Sequence, residues 1–115
     1  MTITEQVHNG VTVLGLKGNL MGETEASPFQ EKKFQLLEAK RTRIVLDLSQ
    51  LKMINSSGLG SLIAALVSAR ERGGDLRLAR LSKAVATVME KVQLDTTFRI
   101  FETVDDAVSG FKGPQ

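Results

Sequence analysis

Hydrophobic and polar positions change period several times along the chain, and each change marks an element. Thr2 to Val7 and Val11 to Lys17 are β-rich and meet at His8-Asn9-Gly10. Asn-Gly is the strongest short hairpin signal, because a type I′ turn needs positive φ at both central positions. An antiparallel pair is therefore predicted at the start. Gly18 to Glu25 reads as a loop. Ser27-Pro28, with Gln30 three residues after the serine, has the form of a capping box with proline at the first helical position. This predicts a helix from about Pro28 to about Lys40, although its apolar positions Phe29, Phe34, Leu36 and Leu37 are only approximately periodic. Arg43 to Leu48 is dense in β-branched and aliphatic residues, as a buried parallel strand requires.

Leu59, Leu62, Ile63, Leu66 and Val67 fall at i, i+3, i+4, i+7 and i+8, one apolar stripe of a second helix that Gly73-Gly74 ends. Asp75 to Arg80 alternates polar and apolar through Leu76 and Leu78, with Leu81 next to it. Ser82 then caps a third helix with Val85, Val88, Met89 and Val92 on one face. Phe98 to Phe101 is the last predicted strand. Thr103, with Asp106 at capping-box spacing, begins a short helix ending near Phe111, and Gly113-Pro114-Gln115 is expected to fray. The order ββαβαβαβα, with right-handed crossovers, predicts an α/β fold. Its sheet is mixed and mostly parallel with an antiparallel N-terminal strand, packed with about four helices.

Length and composition narrow the classes. A chain of 115 residues, 42% of them hydrophobic, suits a single domain spanning residues 1–115 with its own core. The absence of Cys excludes a disulfide framework, a thiol nucleophile and a thiolate metal site. The longest nearly apolar run, Leu59 to Ala69, falls well short of the ~20 residues that span a bilayer, and no signal peptide is apparent. The expectation is a soluble, cytoplasmic protein without membrane insertion. Net charge is only +2, acids are interspersed with bases, and Tyr and Trp are absent, so no platform for nucleic acid is offered.

The candidate chemistry centres on Asn55-Ser56-Ser57-Gly58-Leu59-Gly60, which sets two hydroxyls where a strand-like region gives way to a helix N-terminus. Amides at such an end lack helical partners and carry partial positive charge, favouring a hydroxyl, a phosphate or a partner's carboxylate. Taken alone, Asn and Ser there are accounted for by capping. Gly58-Leu59-Gly60 lacks both the third glycine of a dinucleotide fingerprint and the Gly-Lys-Ser/Thr of a P-loop. Asp47 fits a loop-organising acceptor, His8 an exposed residue beside its turn, and Asp105-Asp106 a first helical turn favoured by the macrodipole. Lys52, Arg70, Arg72 and Lys83 would form a positive rim on the helical side. No catalytic residue, metal site or cofactor is predicted, and the chain does not read as an enzyme.

Asp47-Leu48-Ser49, a linker with Leu51 and Ile54, then Ser56-Ser57-Gly58-Leu59-Gly60 resembles the STAS-domain family of bacterial anti-sigma factor antagonists. The opening hairpin, Gly18 and Leu20 in a Gly-x-Leu loop, Gly73-Gly74 and the element order extend the resemblance over nearly the whole chain. It implies a partner-switching regulator that binds an anti-sigma factor serine kinase. The kinase would phosphorylate Ser56 and a serine phosphatase would reverse this. Asn55, Ser56, Ser57, Gly58, Met21 and Gly22 are then the expected partner-binding residues. Asn55 stands where the family usually has Asp before the serine, and Met21 where an acidic residue is frequent. A constitutive adaptor or structural subunit of a signalling or lipid-transport complex, and a sensor of a small anionic ligand, are the alternatives. A homodimer is compatible with each.

Overall fold

The chain opens as the hairpin that Asn9-Gly10 predicts, with φ of 53° and 79° at the two turn residues. The computed structural model describes residues 1–94 and 96–111. Strand β1 (Thr2–His8) pairs antiparallel with β2 (Val11–Leu20). Strands β3 (Arg43–Ile54), β4 (Asp75–Ala79) and β5 (Ile100–Phe101) follow in parallel, giving the sheet order β1-β2-β3-β4-β5. Helices α1 (Glu23–Glu38), α2 (Ser56–Glu71), α3 (Lys83–Lys91) and α4 (Val104–Ser109) complete the expected order.

Strand alternation divides the core between the two sheet faces. Leu14, Leu16, Ile44, Leu46, Leu76 and Leu78 pack with Phe29 and Leu36 of α1, Leu62 and Leu66 of α2, and Val85 and Met89 of α3. Val11, Val13, Val45 and Ala79 form the other layer beneath Ala107, Val108 and Phe111. Ser82 and Thr103 cap their helices as predicted, accepting from the amides of Val85 at 3.3 Å and Asp106 at 3.0 Å.

Several expectations need correction. Helix α1 starts at Glu23, not near Pro28, and β2 runs on to Leu20, so the predicted loop from Gly18 to Glu25 shrinks to Met21-Gly22. Gly22, at φ 94°, turns the chain, and its carbonyl accepts the Ala26 amide at 3.1 Å. Burial of Ala26 and Phe29 anchors the added turn. Ser27 is exposed inside the helix, and Pro28, also inside it, cannot donate to the Thr24 carbonyl.

Strand β3 likewise continues past Leu48 to Ile54, because Leu51 and Ile54 are buried and pair with Gly18 and Leu20 through two register shifts. On α2, Val67 is 50% exposed, and the buried side is completed instead by Ala65 and Ala69. Phe98 is buried outside any strand, which reduces the last strand to Ile100–Phe101. Gly113-Pro114-Gln115 lies outside the described residues.

Candidate functional site

Strands β2 and β3 run parallel and end side by side, Leu20 opposite Ile54. Met21-Gly22 and Asn55-Ser56 therefore leave the sheet together at the C-terminal ends of these strands. The two exits are joined by a long contact, the Asn55 amide lying 3.5 Å from the Leu20 carbonyl.

Asn55 is extended, at φ −114° and ψ −175°, and caps α2. Its Oδ1 accepts the Gly58 amide at 2.9 Å, while its carbonyl accepts the Leu59 amide at 2.9 Å. The first turn of α2 contains no acidic residue, so the neutral Asn55 side chain is the group that answers the amides there. Ser56 and Ser57 are exposed. Ser61 Oγ donates to the Ser57 carbonyl at 3.3 Å.

Gly58 is buried. A β-carbon at this position would collide with the Leu20 carbonyl and lie 2.9 Å from Ile54 Cγ1. The glycine thus sets the approach of helix to sheet, while the two serines face outward. Met21 and Gly22 are half-buried beside this contact.

The structure adds Met53 and regroups residues of α2 that the sequence pattern had placed otherwise. Met53, two residues before the cap, is 54% exposed. Ser56, Gly60, Ile63 and Val67, at i, i+4, i+7 and i+11, share one side of α2, and of these only Ile63 is partly covered. From Ser56 to Val67 this side of α2 carries no charged side chain. Sequence periodicity could not find it, since Val67 fits the buried stripe as well as the exposed one.

Other candidate residues lie apart from it. Asp47 organises its own turn, accepting the Ser49 amide at 3.1 Å and Arg80 Nη1 at 3.4 Å. His8 is exposed, and its Nε2 meets Gln6 Oε1 at 2.9 Å. The predicted positive rim is divided. Lys52 precedes the head of α2, whereas Arg70 and Arg72 sit at its far end, bound to Asp75 and to the Leu37 carbonyl. Among the described residues, no group of three or more metal-ligating side chains gathers, and no helix is long and apolar enough to cross a membrane.

A mixed five-stranded sheet with three helices on one face and a fourth opposite is the STAS fold. The STAS domain model matches residues 2–107, and the chain belongs to this family. It is 30% identical to the anti-sigma-F factor antagonist RsfB of Mycobacterium tuberculosis, over 98% of this chain and 91% of that one. A candidate anti-sigma factor antagonist from Thermotoga maritima superimposes with a TM-score of 0.86 at 25% identity, covering 94% of this chain and 92% of its own. The antagonist SpoIIAA in its unphosphorylated form shares the fold with a TM-score of 0.76 at 18% identity, over 98% and 100% of the two chains. The relatives are named for regulatory binding rather than for catalysis.

Proposed function

We propose that this chain is an anti-sigma factor antagonist that binds an anti-sigma serine kinase through the head of α2, and that phosphorylation of Ser56 releases it. The observation that carries the reading is the exposure of Ser56 directly after the Asn55 cap, beside Met21-Gly22 and the exposed Met53. In the modification, the γ-phosphoryl group of a nucleoside triphosphate passes to Ser56 Oγ, the hydroxyl proton leaves and the diphosphate departs. A serine phosphatase returns the hydroxyl by hydrolysis.

The switch follows from where the charge falls. Phosphate adds about −1.5 to −2 charge at neutral pH, and the amides of α2 favour an anion at that end. The free protein accommodates it. A partner packed against Met53, Gly60 and Val67 would have to desolvate the same dianion, so the complex is what weakens. SpoIIAA has been solved in both phosphorylated and unphosphorylated forms, so the shared fold is compatible with either state.

The test is a pull-down from lysate of the native source with wild type and Ser56→Glu, with retained proteins identified by mass spectrometry. A serine kinase held by wild type and lost with the variant supports the reading. Equal retention of the same proteins by both overturns it in favour of a constitutive adaptor.

A further inference from the structure

Strand β1 is the open edge of the sheet, with β2 on one side and no strand beyond it among the described residues. Exposed edges are usually blunted by lysine, proline or a bulge. The run from Thr2 to His8 has neither residue, its one acidic side chain, Glu5, is already paired with Lys32, and it pairs with β2 without a register shift.

The hairpin decides which backbone groups face outward. In a two-residue type I′ hairpin, the residues flanking the turn, His8 and Val11, exchange backbone bonds, and bonded and non-bonded pairs then alternate along the ladder. Thr2, Thr4, Gln6 and His8 thus bond inward to β2. The N–H and C=O groups of Ile3, Glu5 and Val7 point to the open edge.

We infer that β1 is a self-association edge, to which a second copy of this chain adds its own β1 antiparallel about a twofold axis at Glu5. That register places Ile3 opposite Val7 of the second copy, Glu5 opposite Glu5, and Val7 opposite Ile3. All three outward-facing residues then find hydrogen-bonded partners, and the two sheets merge into one.

The side chains fit the same register. Val7 is 52% exposed. Ile3, its counterpart, lines an open cavity of about 340 Å³ with Pro28, Glu31, Lys32 and Gln35, beside α1. Val7 of the second copy would be received by this cavity. Like charges directly opposite are unfavourable, but Lys32 Nζ already holds Glu5 Oε1 at 2.8 Å. Two such pairs meeting at the axis form an alternating cluster of two carboxylates and two ammonium groups. On the other face of the strand, Thr4 meets Gln6 and Thr2 meets His8, polar against polar. Strand β2 lies between this edge and β3, and Val7 sits at the end of β2 away from Leu20, so a change at Val7 can be read independently of Ser56.

Sedimentation equilibrium of the full chain over a concentration series reads the proposal. Wild type should show a reversible dimer, and Val7→Lys, a change at an exposed site, should raise the dissociation constant by about tenfold or more. The chain has no native Cys, so single thiols report the register. Glu5→Cys should oxidise to a covalent dimer, because paired residues at the axis lie within disulfide reach. Thr2→Cys should not, because it faces residue 8. A monomeric mass at every concentration, Val7→Lys dimerising like wild type, or Thr2→Cys linking as readily as Glu5→Cys would each overturn the inference.

Discussion

The carbonyl of Leu20 occupies the space that a β-carbon on Gly58 would need. The end of β2 and the first turn of α2 are thereby held in direct backbone contact, and the exposed serines inherit their position from it. Gly58→Ala is expected to force these elements apart and to cost about 1–3 kcal/mol by overpacking. Gly60, where a β-carbon meets nothing within 4 Å, provides the contrast. Gly60→Ala should stabilise by about 0.5–1 kcal/mol through helix propensity. Urea denaturation of the two variants should show the opposite signs.

Asn55 should behave as a cap whose neutrality matters. Asn55→Ala loses the bond to the Gly58 amide and should cost about 1 kcal/mol. Asn55→Asp keeps an acceptor and adds a charge favourable to the helix end, worth about 0.3–1 kcal/mol at low ionic strength. Once Ser56 carries phosphate, the same aspartate faces a like charge. Phosphorylation should therefore raise the melting temperature of wild type more than that of Asn55→Asp, a coupling measurable in a four-form thermal cycle.

Ser56 and Ser57 are both exposed but point from different sides of α2, only Ser56 standing in line with Gly60, Ile63 and Val67. Ser56→Glu should lower partner affinity by at least about tenfold, or 1.4 kcal/mol, with Ser57→Glu much closer to wild type. Titration calorimetry against the captured partner would compare them, and equal losses would remove Ser56 from its special position.

The features of this fold that are legible in the sequence are those set by local chemistry. Asn9-Gly10 demands its turn, Asn55, Ser82 and Thr103 their caps, and Leu59, Leu62 and Leu66 a buried helical side. Local rules fail where distant packing takes over. A capping-box pattern at Ser27-Pro28 is overridden because Ala26 and Phe29 reach the core, extending α1 by a turn and more. Strand β3 outlasts its apolar run because Leu51 and Ile54 find β2 beside them. The serine pair was legible as a helix head, whereas its junction with Leu20 and the exposure of Met53 and Val67 depend on the tertiary arrangement of β2, β3 and α2.

Strand β4 alternates polar and apolar, and its polar residues Asp75 and Arg77 are both buried. Asp75 accepts Arg70 Nε through Oδ1 at 2.9 Å and Arg77 Nε through Oδ2 at 3.1 Å. The Arg77 guanidinium lies 3.8 Å from the Phe111 ring centroid and 5.9 Å from that of Phe101, tying the residues just past α4 to the sheet. The two partners should not be equally costly to remove. Asp75→Ala leaves a buried cation without its carboxylate, which costs about 3–5 kcal/mol. Arg77→Met keeps apolar bulk between the rings and removes a guanidinium whose Nη1 already has no hydrogen-bond partner, while Asp75 retains Arg70. Its loss should be clearly smaller, since Asp75 keeps a charged partner in Arg70 and no buried charge is left unpaired. Chemical denaturation gives the ranking, and amide exchange in α4 locates it. Faster exchange of Ala107 and Val108 in Asp75→Ala than in Arg77→Met would show that the unpaired charge, rather than lost packing, loosens the helix.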